Sequence, residues 1–206
     1  ATGCTEPIAV ALAAATARKQ MDFQEEAPEK IIVTVDGGLF KNAVFVGIPG
    51  IKERGVAIAA ALGAAGGNPD QGLRLLEEIS KEQLEAARQL VSQNRIQVLV
   101  NEECSHLYIK IDLFTGQNHI QVLTLNRHNH IVLVKKGKAL NDEEIKTKLT
   151  PSQSNAQDPV IRKYSLRQLL EFVNRVDFKD IEFLNEGIRM GRDIAEAGFC
   201  MEKGFG

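Results

Sequence analysis

At 206 residues, 44% of them hydrophobic, the chain is long enough to bury a sizeable core in one domain or two small ones. Its 25 lysines and arginines against 27 aspartates and glutamates leave a net charge of −2, which supplies no basic field for nucleic acid or an anionic membrane surface. The absence of tryptophan and the presence of only two tyrosines leave little for base stacking, and no apolar run reaches the length of a membrane span.

The chain opens on Ala1-Thr2-Gly3-Cys4-Thr5-Glu6-Pro7 and runs straight into Ile8-Ala9-Val10-Ala11-Leu12-Ala13-Ala14-Ala15. Pro7 suits the first helical position and Thr5 the cap, so a helix is predicted from here, apolar nearly all round and therefore buried. Cys4 stands just ahead of its N-terminus, where the positive end of the helix dipole favours thiolate over thiol, and Gly3 lets the backbone come close to whatever the sulfur holds. Read only as a residue type, a cysteine beside a buried alanine-rich helix is usually a small core residue. No basic region precedes the apolar run, so it does not read as a signal peptide, and a cytoplasmic protein is expected.

Gln20 to Glu29 is charged, contains Pro28 and reads as a connection. Ile31-Ile32-Val33-Thr34-Val35 reads as a strand and Asp36-Gly37-Gly38 as the turn after it. Phe40 to Gly55, rich in glycine, is a buried loop or a broken element. Gly55 to Gly67 repeats the small apolar style of the first helix, and two such segments would pack backbone near backbone. Asn68-Pro69 starts another helix, and Ser80-Lys81-Glu82-Gln83 is a capping box. From Arg95 the apolar period changes to two, in runs at Ile96–Val100, Leu107–Phe114, His119–Leu125 and Ile131–Val134. Four runs with short connections predict an antiparallel meander. Gly137 to Lys163 is polar and aperiodic, a linker or loop. Beyond it, Ser165-Leu166-Arg167-Gln168 is a second capping box, with apolar helical stripes after it on Leu166, Leu169, Leu170, Val173 and Val176, then on Ile181, Leu184, Ile188 and Ile194.

The fold class this predicts is α+β: buried Ala/Gly-rich helices packed with a mainly antiparallel sheet of about five strands, plus C-terminal helices. The predicted domain bounds are residues 1–136 for the α+β domain carrying Cys4, 137–163 for the linker, and 164–206 for the helical start of a second, incomplete domain. The three cysteines, Cys4, Cys104 and Cys200, form no short ligand motif, so Cys104 and Cys200 read as incidental thiols and a disulfide framework is not expected.

The opening Thr2-Gly3-Cys4-Thr5-Glu6-Pro7, then Lys41-Asn42-Ala43 with Val46-Gly47-Ile48-Pro49-Gly50, and the run from Ala59 to Gly67, resemble the L-cysteine desulfidase family. That family is related to the alpha chain of iron–sulfur L-serine dehydratases. The resemblance continues through Thr115-Gly116-Gln117-Asn118-His119 and Arg127-His128-Asn129-His130-Ile131. It implies β-elimination on L-cysteine, giving pyruvate, ammonia and sulfide, or on L-serine, giving pyruvate and ammonia. The cofactor it implies is a [4Fe–4S] cluster on three cysteines with one iron open, and no pyridoxal phosphate.

On that resemblance Cys4 is a metal ligand. Thr5, Glu6 and Asn42 bind substrate, and His119 or His128 is the base that takes the α-proton. Each has a structural reading beside it: Thr5 as a cap, Glu6 as a carboxylate placed for the helix dipole, Asn42 as a turn residue, the histidines as solvated turn residues. Family members are about twice as long, so the chain is expected to be an N-terminal fragment, inactive alone and without the cluster. Its expected partner is a small amino-acid substrate, with neither nucleic acid nor membrane, and a homodimer is one assembly the resemblance permits. Ile51-Lys52-Glu53-Arg54 departs from the family pattern in placing charge after Pro49-Gly50. A second reading keeps the fold without the cluster, as a non-catalytic small-molecule binding or assembly module. A cysteine nucleophile paired with a histidine is a third.

Overall fold

A computed structural model describes residues 5–21, 27–48, 51–77, 79–116, 118–137 and 160–200. The chain divides into two compact units, Ala1–Pro151 and Ser152–Gly206. The first holds helix α1 (Thr5–Lys19), strand β1 (Lys30–Asp36), helices α2 (Gly37–Ala43) and α3 (Val56–Ala64), a 3-10 turn (Pro69–Arg74), helix α4 (Lys81–Ser92) and strands β2 (Ile96–Asn101), β3 (Tyr108–Thr115), β4 (Asn118–Leu125) and β5 (Ile131–Lys136). This is the α+β class that the sequence predicts, with five strands in one sheet.

Alanine is the strongest helix former and loses no side-chain entropy on burial, which suits α1 to a position enclosed on every side. Ile8 through Ala15 and Ala17 are all buried. One face of α1 meets α3 and the other meets β3 and β4. Contact with α3 is close enough that a Cβ on Gly63 would lie 2.1 Å from the carbonyl oxygen of Ala11. Thr5 lies within the described helix and so is not the residue that caps it, and Pro7 stands two residues further on.

In the sheet the strand order is β2-β1-β3-β4-β5. Only β3, β4 and β5 form the predicted meander; β2 pairs in parallel with β1, from Ile31 opposite Ile96 to Asp36 opposite Asn101. A parallel pair needs a long crossover, and α2, α3 and α4 between the two strands supply it. Asp36 secures the join. Its Oδ1 accepts from the Leu39 amide at 2.9 Å, capping α2, and its Oδ2 accepts from the Tyr108 amide at 2.9 Å, fixing the start of β3 beside the end of β1. Asp36-Gly37-Gly38 is therefore a helix start where the sequence suggests a turn. Asn68 caps through Asp70 N at 3.0 Å, but the element it opens is a 3-10 turn interrupted at Gly72 (φ 56°), not an α-helix. The Ser80 capping box forms as expected: the Gln83 amide donates to Ser80 Oγ at 3.2 Å and the Ser80 amide to Gln83 Oε1 at 2.9 Å.

The second unit, over its described residues, holds a 3-10 turn (Val160–Lys163) and helices α5 (Leu166–Arg175), α6 (Phe178–Ile181) and α7 (Leu184–Phe199). The Ser165 capping box opens α5, with the Gln168 amide on Ser165 Oγ at 3.3 Å and the Ser165 amide on Gln168 Oε1 at 2.8 Å. The polar stretch expected as a linker lies, from 138 to 159, outside the described residues. Among the described residues no helix is long and apolar enough to cross a membrane.

The α1–α3 approach yields a direct test. Gly63→Ala places a methyl group against the α1 backbone, where no side chain can rotate away, and should destabilise the first unit by about 2–3 kcal/mol. A lower urea midpoint at unchanged m-value is the expected result.

Candidate functional site

Of the predicted site residues, Cys4 lies outside the described residues. Thr5 and Glu6 open α1 and are half-buried; Asn42 sits in the last turn of α2 and is exposed. Asn42 Nδ2 donates to Glu6 Oε1 at 3.1 Å, so two of the three predicted substrate-binding residues are joined across the two helices. That meeting is a consequence of topology. α1 is held by its buried faces, β1 is followed immediately by α2, and Asp36 caps α2 in place.

The two candidate bases are separated. His119 stands near the start of β4, opposite Phe114, at the end of the sheet where β1 begins. His128 belongs to the turn between β4 and β5, at the end where β1 finishes; there the Asn126 amide donates to Leu107 O at 3.0 Å, next to the Tyr108–Asp36 contact. Strand rise puts His119 about 20 Å from that turn, so the two cannot serve one substrate. His128 shares its end of the sheet with α2, and His119 does not.

His119 has instead a full set of neighbours on the sheet face turned away from α1. Its Nε2 lies 2.8 Å from Asp112 Oδ1, and its ring stacks on Phe114 at 4.4 Å with planes 6° apart. Asp112 is 6% exposed, and an ionised carboxylate so buried requires partners. Lys110 Nζ approaches its Oδ2 at 3.2 Å and Gln121 Nε2 donates to its Oδ1. Sequence reasoning misses this cluster because its members alternate on two strands, and only register brings Asp112 opposite Gln121. Its arrangement is that of a satisfied buried carboxylate.

Cys104, half-buried in the β2–β3 connection, has its thiol pushed up by burial, then by the carboxylates of Asp36 and Glu103. That direction opposes thiolate formation and agrees with an incidental thiol. Cys200 is exposed at the end of α7. Among the described residues no group of three or more His, Cys, Asp or Glu side chains is placed to hold a metal ion.

Two further features have no signal in the sequence. A cleft of about 300 Å³ lies at the tail of α1, lined by Arg18, Arg95, Gln89 and Gln93 over a floor that includes Ala64 and Leu90. Arg95 Nη1 donates to Pro28 O at 3.0 Å there. The charged segment after Pro49-Gly50 is also accounted for: Arg88 Nε donates to Glu53 Oε1 at 2.6 Å, tying that loop to α4 and holding the Glu53 carboxyl below its usual range.

No family model matches the chain, and no solved structure matches it. Among curated proteins it is similar to the UPF0597 protein of Caldanaerobacter subterraneus subsp. tengcongensis, 35% identical over 207 residues, which is 100% of this chain and 48% of the relative. It is 36% identical over 206 residues to the UPF0597 protein of Clostridium tetani, again covering 100% of this chain and 48% of the relative. With the UPF0597 protein of Klebsiella pneumoniae it shares 35% identity over 199 residues, 96% of this chain and 45% of that one. The chain spans about half the length of the curated relatives it matches.

The raised thiol predicts a reactivity order. With iodoacetamide near pH 8, Cys104 should be alkylated about tenfold more slowly than exposed Cys200, as resolved by peptide mass mapping. Because the shift is upward, the gap should narrow as pH rises, and Glu103→Gln should narrow it further.

Proposed function

We propose that this chain is the N-terminal portion of a cytoplasmic, iron–sulfur-dependent amino-acid lyase, inactive alone, that performs β-elimination on L-cysteine or L-serine. The observation that carries the reading is the Glu6–Asn42 contact at 3.1 Å, which joins two residues of the motifs resembling L-cysteine desulfidase at the head of α1, directly after Cys4.

What the chain's own residues can do is bind and deprotonate. In the reaction the Cα–H bond breaks and its electron pair forms the Cα–Cβ double bond. The Cβ–S or Cβ–O bond breaks with its pair on the departing thiolate or hydroxide. The aminoacrylate that remains tautomerises to an imine, which water converts to pyruvate and ammonia. The positive end of the α1 dipole, at the helix head where Thr5 stands, suits the substrate carboxylate. The Glu6 carboxylate suits the ammonium, with Asn42 fixing its orientation. Position favours His128 over His119 as the base, since His119 is committed to Asp112 at the far end of the sheet.

A binding module is favoured by a different observation, the two-arginine cleft at the tail of α1, whose lining suits a small carboxylate. The same measurements separate the readings. In the longer polypeptide, with pyruvate release monitored on both substrates, Glu6→Gln should raise KM about tenfold, equivalent to about 1.4 kcal/mol. His128→Ala should lower kcat by about 10²-fold or more, whereas His119→Ala should lower thermal stability with a smaller effect on kcat. Wild-type kinetics for both Glu6→Gln and His128→Ala would sink the lyase site. A thermal shift with L-cysteine or L-serine, lost in Arg95→Ala and without turnover, would support the binding module.

A further inference from the structure

Over its described residues the second unit has helices but no buried core. Among residues 161–200 none is buried, and only Leu169, Val176 and Ile181 are even half-buried. Yet its helices are cleanly amphipathic. On α5, Leu166, Leu170 and Val173 share one face at i, i+4 and i+7, exposed by 84%, 61% and 66%. On α7, Leu184, Ile188 and Ile194, at i, i+4 and i+10, share a broader face, while Glu186, Arg189 and Asp193 take the opposite side.

α7 carries a second signal. Gly187, Gly191 and Gly198 fall on that apolar face at helical spacing, and a Cβ at any of them would meet nothing within 4 Å. Glycine weakens a helix interior, and a stripe of it on an apolar face is useful only where another backbone comes close. The first unit demonstrates the device when it is occupied: at Gly63 of α3, the same substitution would run into α1.

The lengths indicate what comes close. Relatives that match this chain from end to end are about twice as long, so roughly half of their polypeptide has no counterpart here. We propose that the apolar faces of α5 and α7 are the docking surface for that remaining half, and that the Gly187–Gly191–Gly198 stripe receives one of its helices at backbone distance. This inference is independent of the lyase reading and concerns assembly alone.

The test compares this 206-residue chain with the longer polypeptide, each as wild type, Gly191→Ala and Gly191→Leu. In the short chain α5 and α7 should exchange amide hydrogens rapidly, the chain should sediment as a monomer, and Gly191→Ala should leave the thermal midpoint unchanged or raise it. In the longer polypeptide both helices should be protected, and both substitutions should lower the midpoint, Leu by more than Ala. An alanine substitution that is neutral or stabilising in the short chain and destabilising in the longer polypeptide is the signature. A short chain that sediments as a dimer and is made monomeric by Gly191→Leu would assign the surface to a second copy and overturn the proposal. So would full protection of α5 and α7 in the short chain, a Gly191→Leu longer polypeptide as stable as wild type, or a reading frame that ends with this chain.

Discussion

The first unit depends on how closely two helices approach. Where Gly63 of α3 meets Ala11 of α1, no side chain separates the backbones, and the gap is filled by alanine methyls and peptide groups. Alanine contributes little apolar area per residue, so packing of this kind relies on many dispersion contacts made at short range and on the entropy that alanine does not lose. The consequence reaches beyond stability. A helix enclosed by α3 and the sheet cannot tilt or slide without opening a void, so its first turn, with Thr5 and Glu6, is presented from a rigid mount.

Features decided locally could be seen in the sequence. Both capping boxes, at Ser80 and Ser165, form as their spacing requires, because the two hydrogen bonds of each are closed within four residues. The enclosed character of α1 and α3 was equally visible, since an apolar helix without a polar face has nowhere else to go. Strand partnership was a different matter. β2 alternates as an antiparallel strand would, and nothing in Ile96–Asn101 states that its neighbour is β1, more than sixty residues upstream, instead of β3. The deciding element is Asp36, whose two oxygens serve a helix cap and a strand start at once, and one of those partners is distant in sequence.

The candidate site divides along the same line. Glu6 and Asn42 were singled out separately, not as a pair, and they meet because the helix after β1 comes beside the head of α1. The two histidines are alike in titration range and both adjoin strand ends, so residue type could not rank them. Register does. It gives His119 a buried carboxylate and an aromatic platform, and leaves His128 in a turn at the end where Asp36 and Tyr108 meet. Likewise the Cys104 thiol is pushed up by burial and then by two carboxylates, one of which, Asp36, comes near only through the fold.

Small residues carry opposite meanings in the two units, and the contrast fixes how the second should be understood. In α3 a glycine is explained by what touches it; in α7 three glycines are touched by nothing, on a helix whose apolar face is exposed. A sequence that keeps charge to one side of α7 and glycine to the other gives up helix propensity with no compensating contact inside the described unit. Helices of this length are marginal in water unless an apolar face is covered, and these bury no residue among themselves. The apolar faces of α5 and α7 are the ones the proposed docking would cover, and the glycine stripe leaves α7 without a side chain that would hold a second backbone away, as Gly63 does between α3 and α1.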